Sequence, residues 1–143
     1  MTNFTLVYPM FAMVLLGGVA LVTLFRSRVR AVRTKKVSIQ YFRIYQGEIE
    51  AEETAKPARH FANLFEAPVL FYAACITAMV VQDAGIVVQS LAWAYVAARV
   101  LHTWIHLGGN RVRHRLRAYF ASWLVLAALW IQIVVHVAMM GRA

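Results

Sequence analysis

The chain has 143 residues, of which 62% are hydrophobic and only 15% charged, with a formal net charge of +9. A soluble domain of this length carries far more charge on its surface, so the composition excludes an ordinary soluble protein. The basic residues stand between long apolar runs rather than along an exposed face, which sets nucleic acid aside in favour of a membrane.

Thr5 to Phe25 holds no charge and is long enough to cross the hydrocarbon core. No basic stretch precedes it, and Arg26, Arg28 and Arg30 follow at once. The pattern predicts a retained first helix over about residues 5–25 rather than a cleaved leader. Pro9 near its start is tolerated, and Gly17-Gly18 predicts close helix contact. A long loop over 26–57 comes next. Its first half is basic, with Arg26, Arg28, Arg30, Arg33, Lys35, Lys36 and Arg43; its second half, Gln46 through Glu53, is acidic. Two readings fit it: a helical extension followed by a solvated acidic segment, or arginines that help line an anion site.

A second helix is predicted over about 58–82, and Glu66 is the only charge in its apolar part, Phe61 to Gln82. Pro68 removes a backbone donor, frees the carbonyl of Leu64 and kinks the helix beside Glu66. Cys75, the single cysteine, lies deep in this run and reads as a small packing residue. Asp83-Ala84-Gly85 makes a turn. The third helix covers about 86–108, with Arg99 as its only full charge, and Gly108-Gly109-Asn110 stops it. The loop over 109–117 holds Arg111, Arg113, Arg115 and Arg117 and no acid; the fourth helix covers about 116–140, with His136 near its end. The fold class is therefore all-α: one membrane domain over residues 1–143, built as a four-helix transmembrane bundle. Both basic loops fall on one side, the cytoplasmic one by the positive-inside rule, and both termini on the other.

The stretch Arg59-x-x-x-Asn63-x-x-Glu66 places three polar groups within about a 60° arc of one helix face. A carboxylate inside a membrane-length run is costly and calls for a partner. Tyr95, Arg99, His102 and His106 share a face on the antiparallel third helix. At about 1.5 Å per residue, Arg59 stands level with His106, Asn63 with His102, and Glu66 with Arg99. We expect Glu66 to pair with Arg99, inside one subunit or across an interface, either at the floor of a polar cleft or as a lock between two helices. His102 and His106 at i, i+4, with Glu66 as third ligand, is a spacing that lets imidazoles share an ion. The carboxylate motif of metal-binding helices is absent, however, so no metal is expected. Ser122 has no base beside it, and no phosphate loop, CxxC or HExxH occurs. If the chain is an enzyme, the reactive group arrives with a ligand.

Arg59-x-x-x-Asn63-x-x-Glu66 and Ala98-Arg99-x-x-His102-x-x-x-His106 resemble the second- and third-helix signatures of the MAPEG family, the membrane-associated proteins in eicosanoid and glutathione metabolism. Arg113 to Ser122 is similar to that family's entry into its fourth helix. The resemblance implies a homotrimer with glutathione as co-substrate, bound between subunits on the cytoplasmic side. Carried over by position, Arg59, Asn63, Glu66, Arg99, His102 and His106 would hold the tripeptide, and Arg113 or Arg115 would stabilise its thiolate. A guanidinium favours the charged form of a thiol, and the thiolate is the nucleophile. The implied activity is a transferase or peroxidase acting on lipophilic electrophiles that enter from the membrane lipid. The alternative is a non-catalytic lipid-binding, scaffold or accessory protein on the same fold. The sequence departs from the family pattern at His106, and often also at His102, where the family places tyrosine. It departs again at Phe61, Ala67 and Pro68.

Overall fold

The computed structural model describes residues 4–44, 52–109 and 111–141. Its elements are α1 (Val7–Arg33), α2 (Tyr41–Ile44), α3 (Glu52–Asn63), α4 (Ala67–Val80), α5 (Ile86–Leu107) and α6 (Val112–Met140). No strand occurs among the described residues. The acidic run from Gln46 to Ala51 and the stop residue Asn110 lie outside them.

Three columns are long and apolar enough to cross a membrane: α1, the tandem of α3 and α4, and α6. The fourth long helix, α5, carries the polar ladder and packs chiefly on α6, with further contacts to α1, α3 and α4. The packing is that of a membrane bundle, with small residues where helices meet and large ones outside. Ala74, Cys75 and Ala78 on α4 and Ala92 on α5 are fully buried, and Met13, Leu16 and Ala20 of α1 join the same core. Phe11, Val14, Leu15 and Phe25 on α1, and Leu124, Ile131 and Val134 on α6, point outward. In water such a surface would aggregate; in lipid it is the ordinary exterior. The chain is an all-helical integral membrane protein.

Four details differ from the sequence reading. The first helix continues past the apolar run to Arg33, because arginine is a good helix former and Arg30 and Arg33 suit the negative C-terminal end. Gly17 and Gly18 mark no close approach within the chain, since a Cβ on either would meet nothing within 4 Å. The fourth helix starts at Val112, so Arg113, Arg115 and Arg117 are helical rather than in a loop. Most consequentially, the second helix is broken and not merely kinked.

The break spans residues 64–66. Glu66 has φ −89° and ψ −90°, outside the helical well, and Pro68 sits in the first turn of α4, where its missing N–H leaves no bond unmade. Two other helix ends use a left-handed residue that is not glycine. Lys35 (φ 55°) ends α1, and Gln82 (φ 60°) ends α4, where the Asp83 amide reaches back to the Ala78 carbonyl at 2.9 Å. At that far end Asp83 also accepts from Gln132 Nε2 at 3.4 Å and lies 3.8 Å from His136 Nδ1, tying α4 to α6.

At the basic end, Ala31, Val37 and Tyr41 bury together, and Arg28 stands 5.3 Å over the Phe42 ring. Lys36 bonds Glu53 at 2.6 Å, which fastens this segment to the start of α3.

Candidate functional site

The break between α3 and α4 builds the site. An interrupted helix leaves its last carbonyls without amide partners, and its C-terminus carries partial negative charge. Arg99, fully buried on α5, answers both needs. Its Nη2 donates to the backbone carbonyl of Asn63 at 3.1 Å and to Asn63 Oδ1 at 2.9 Å. Asn63 Nδ2 then donates to Glu66 Oε2 at 3.2 Å. The three residues form one relay, guanidinium to amide to carboxylate, running from the core to the surface.

This corrects the expected Glu66–Arg99 pair. Among the described residues the two form no direct ion pair within the chain; Asn63 stands between them, and Glu66 is exposed. Depth counting placed Arg99 level with Glu66, whereas it meets Asn63, about one turn nearer the basic end. The counting treated the second helix as continuous, and the break invalidates that ruler. Arg99 Nε and Nη1 and the Tyr95 hydroxyl have no hydrogen-bond partner among the described residues. Tyr95 lies stacked on Phe71, ring centres 4.5 Å apart.

One turn further toward the basic end, three imidazoles meet. His60 on α3 is fully buried, and its Nδ1 lies 3.3 Å from His106 Nδ1. Its ring stands 5.9 Å from that of His102 and 4.9 Å from that of His106, centre to centre. One ring nitrogen from each of the three falls within 4.8 Å of the others. His102 and His106 occupy the expected face, and His60 is the residue the sequence reading missed. The signal was present. His60 is three residues from Asn63, hence on its face, and at the depth of His106. The spacing Arg59-x-x-x-Asn63-x-x-Glu66 puts Arg59 on that rung instead, and Arg59 is exposed. Lys56 closes this end, its Nζ donating to the Gly108 carbonyl at 2.7 Å.

The remaining site candidates lie on α6. Arg113 is exposed, while Arg115 is half-buried, with its backbone against His102 and its charge near His102 and His106. The Tyr119 ring, one turn on, stands 5.9 Å from His102. Cys75 is buried and free, and Ser122 Oγ donates to the Tyr119 carbonyl at 2.7 Å; neither has a base beside it to activate it.

A cavity of ≈ 670 Å³ opens at the same end, between α1, α3 and the tip of α5. Arg26, Arg30 and Lys56 line it, with Glu53 as the one carboxylate. It contains none of the relay residues or histidines. The relay and the imidazole cluster are the better site candidates, because their orphaned buried polar atoms require explanation. The cavity's cations are ordinary for a membrane protein's basic end.

No curated protein and no solved structure matches the chain. The family model of the MAPEG family matches residues 6–135, which covers nearly all of the relay, the imidazoles and the four columns that carry them, and the chain therefore belongs to the MAPEG family.

Proposed function

We propose that the protein is a membrane-embedded, glutathione-dependent transferase or peroxidase acting on lipophilic electrophiles. The carrying observation is the Arg99–Asn63–Glu66 relay, which holds a carboxylate at the surface of a strongly basic end. Glutathione has an ammonium group to meet that carboxylate, and two carboxylates to meet Arg59 and Arg113. Both arginines are exposed. Arg99, His102 and His106 are buried within one chain, at 0%, 3% and 8% exposure. They act by holding the wall in shape rather than by wrapping the tripeptide.

For the thiolate we favour Arg115 over Arg113, because Arg115 is half-buried with its charge near His102 and His106, whereas Arg113 is exposed. A guanidinium near the sulfur stabilises the charged, nucleophilic form. The glutathione site lies between subunits of a homotrimer on the cytoplasmic side, with both termini opposite, and the electrophile reaches the sulfur from the lipid. Conjugation of a lipophilic aryl halide tests this. Arg115→Ala lowers kcat about 100-fold, as for loss of one preorganised charge stabiliser, while Arg113→Ala acts mainly on KM. Background turnover by the unsubstituted protein would contradict the proposal.

One observation favours a second reading, a non-catalytic lipid-binding or accessory protein. Arg99 and the three imidazoles are already buried inside a single chain, as a purely structural lock requires. That reading predicts lipid co-purifying with the protein and no turnover with any glutathione acceptor.

A further inference from the structure

We propose that His60, His102 and His106 form a transition-metal site of the zinc class, closed by an anion as fourth ligand. Three observations carry it independently of the glutathione reading. The first is geometric. Around an ion with metal–nitrogen bonds of about 2.0–2.1 Å, tetrahedral ligand nitrogens stand about 3.3–3.4 Å apart. The His60 and His106 Nδ1 atoms are already 3.3 Å apart, and all three residues offer a nitrogen within 4.8 Å of the others.

The second observation concerns unmet hydrogen bonds. His102 Nδ1 is buried with no hydrogen-bond partner among the described residues. Imidazole nitrogens that lack both water and protein partners are costly to keep. A metal ion satisfies such lone pairs directly, whereas the one nitrogen–nitrogen contact present satisfies a single donor and a single acceptor.

The third observation fixes the fourth ligand. The charged groups facing the cluster are all cations: Arg99 from α5, Lys56 and Arg59 from α3, and Arg115 from α6. No carboxylate touches it among the described residues. A divalent ion bound only by neutral imidazoles would sit in an unscreened positive field. An anionic fourth ligand, a hydroxide or a thiolate, removes most of that repulsion and makes the site tetrahedral. The expected set is three nitrogens and one exchangeable anion, not the His102–His106–Glu66 set that sequence spacing alone offers. The site uses none of the relay's three residues, so the two coexist on α3 and α5.

The test uses the full chain in detergent, expressed without a polyhistidine tag and assayed without glutathione. Elemental analysis after purification, and titration with Zn²⁺ and then with Co²⁺, measure occupancy. The expected result is about one ion per chain, and for Co²⁺ the intense visible bands of a tetrahedral site. His60→Phe, which refills the space of the ring, should reduce binding at least 100-fold. If that variant fails to fold, the parent protein still decides. Absence of bound metal together with no tetrahedral Co²⁺ spectrum in the parent overturns the site. So does undiminished Co²⁺ binding in a folded His60→Phe protein.

Discussion

At the scale of single residues, Arg99 and Glu66 have unequal duties. Arg99 is wholly buried and supplies the hydrogen bonds that the end of α3 lacks. Glu66 is exposed and holds one bond to Asn63. Removing the guanidinium leaves the Asn63 oxygens without their donor, so Arg99→Ala should cost about 1–3 kcal/mol, in the range for an acceptor left unsatisfied. Glu66→Gln keeps the shape and an acceptor for Asn63, and should stay within about 1 kcal/mol, as for an exposed pair. Thermal melts of both variants in the same detergent check the contrast. Equal losses would mean that the carboxylate is buried against another subunit. The sequence made Arg99 visible as the one full charge in its span. It hid the acceptor, because an asparagine that also ends a helix looks like any polar residue until the break is known.

At the scale of elements, the discontinuity between α3 and α4 governs the site. Pro68 cannot donate to the Leu64 carbonyl as a continuous helix would need, and the break beside it leaves the Asn63 carbonyl free to accept from Arg99. Pro68→Ala restores the donor and lets the two segments join. Hydrogen exchange should then slow at the amides of residues 64–67, and glutathione binding should weaken as Arg99 loses its acceptor. Unchanged exchange would show that packing, not the proline, holds the break. The sequence showed that a proline stood beside Glu66. The extent of the interruption was not legible, because a kink and a three-residue gap share the same local signal. Packing against α5 and α6 chooses between them. The same gap explains why counting residues along the helix brought Glu66, rather than Asn63, level with Arg99. His60 shows the complementary failure. Arg59 and His60 stand at nearly the same depth, and the charged one of the two drew the rung although the neutral ring beside it is the buried one.

At the scale of the whole molecule, the four helical columns and the basic ends between them were readable from run length and charge alone, although only three of the columns are apolar enough to count as membrane-crossing by composition. Family membership over residues 6–135 agrees with that layout. What one chain leaves open to a neighbour is also clear: α1 and α6 present long rows of exposed Phe, Leu and Val, and Glu66, Arg59 and Arg113 lie at the same basic end. A homotrimer that joins these surfaces predicts three copies per particle in native mass spectrometry of the detergent-extracted protein. Monomers at all detergent ratios would leave the proposed intersubunit site without its second wall.

The central claim is that the surface end of the Arg99–Asn63–Glu66 relay receives glutathione. Isothermal titration of the purified protein with glutathione addresses it without any choice of electrophile. Saturable heat is expected below about 5 mM, a ceiling set above ordinary enzyme working concentrations, together with its loss in Glu66→Gln despite an unchanged melt. No saturable heat from the folded parent over that range would contradict it.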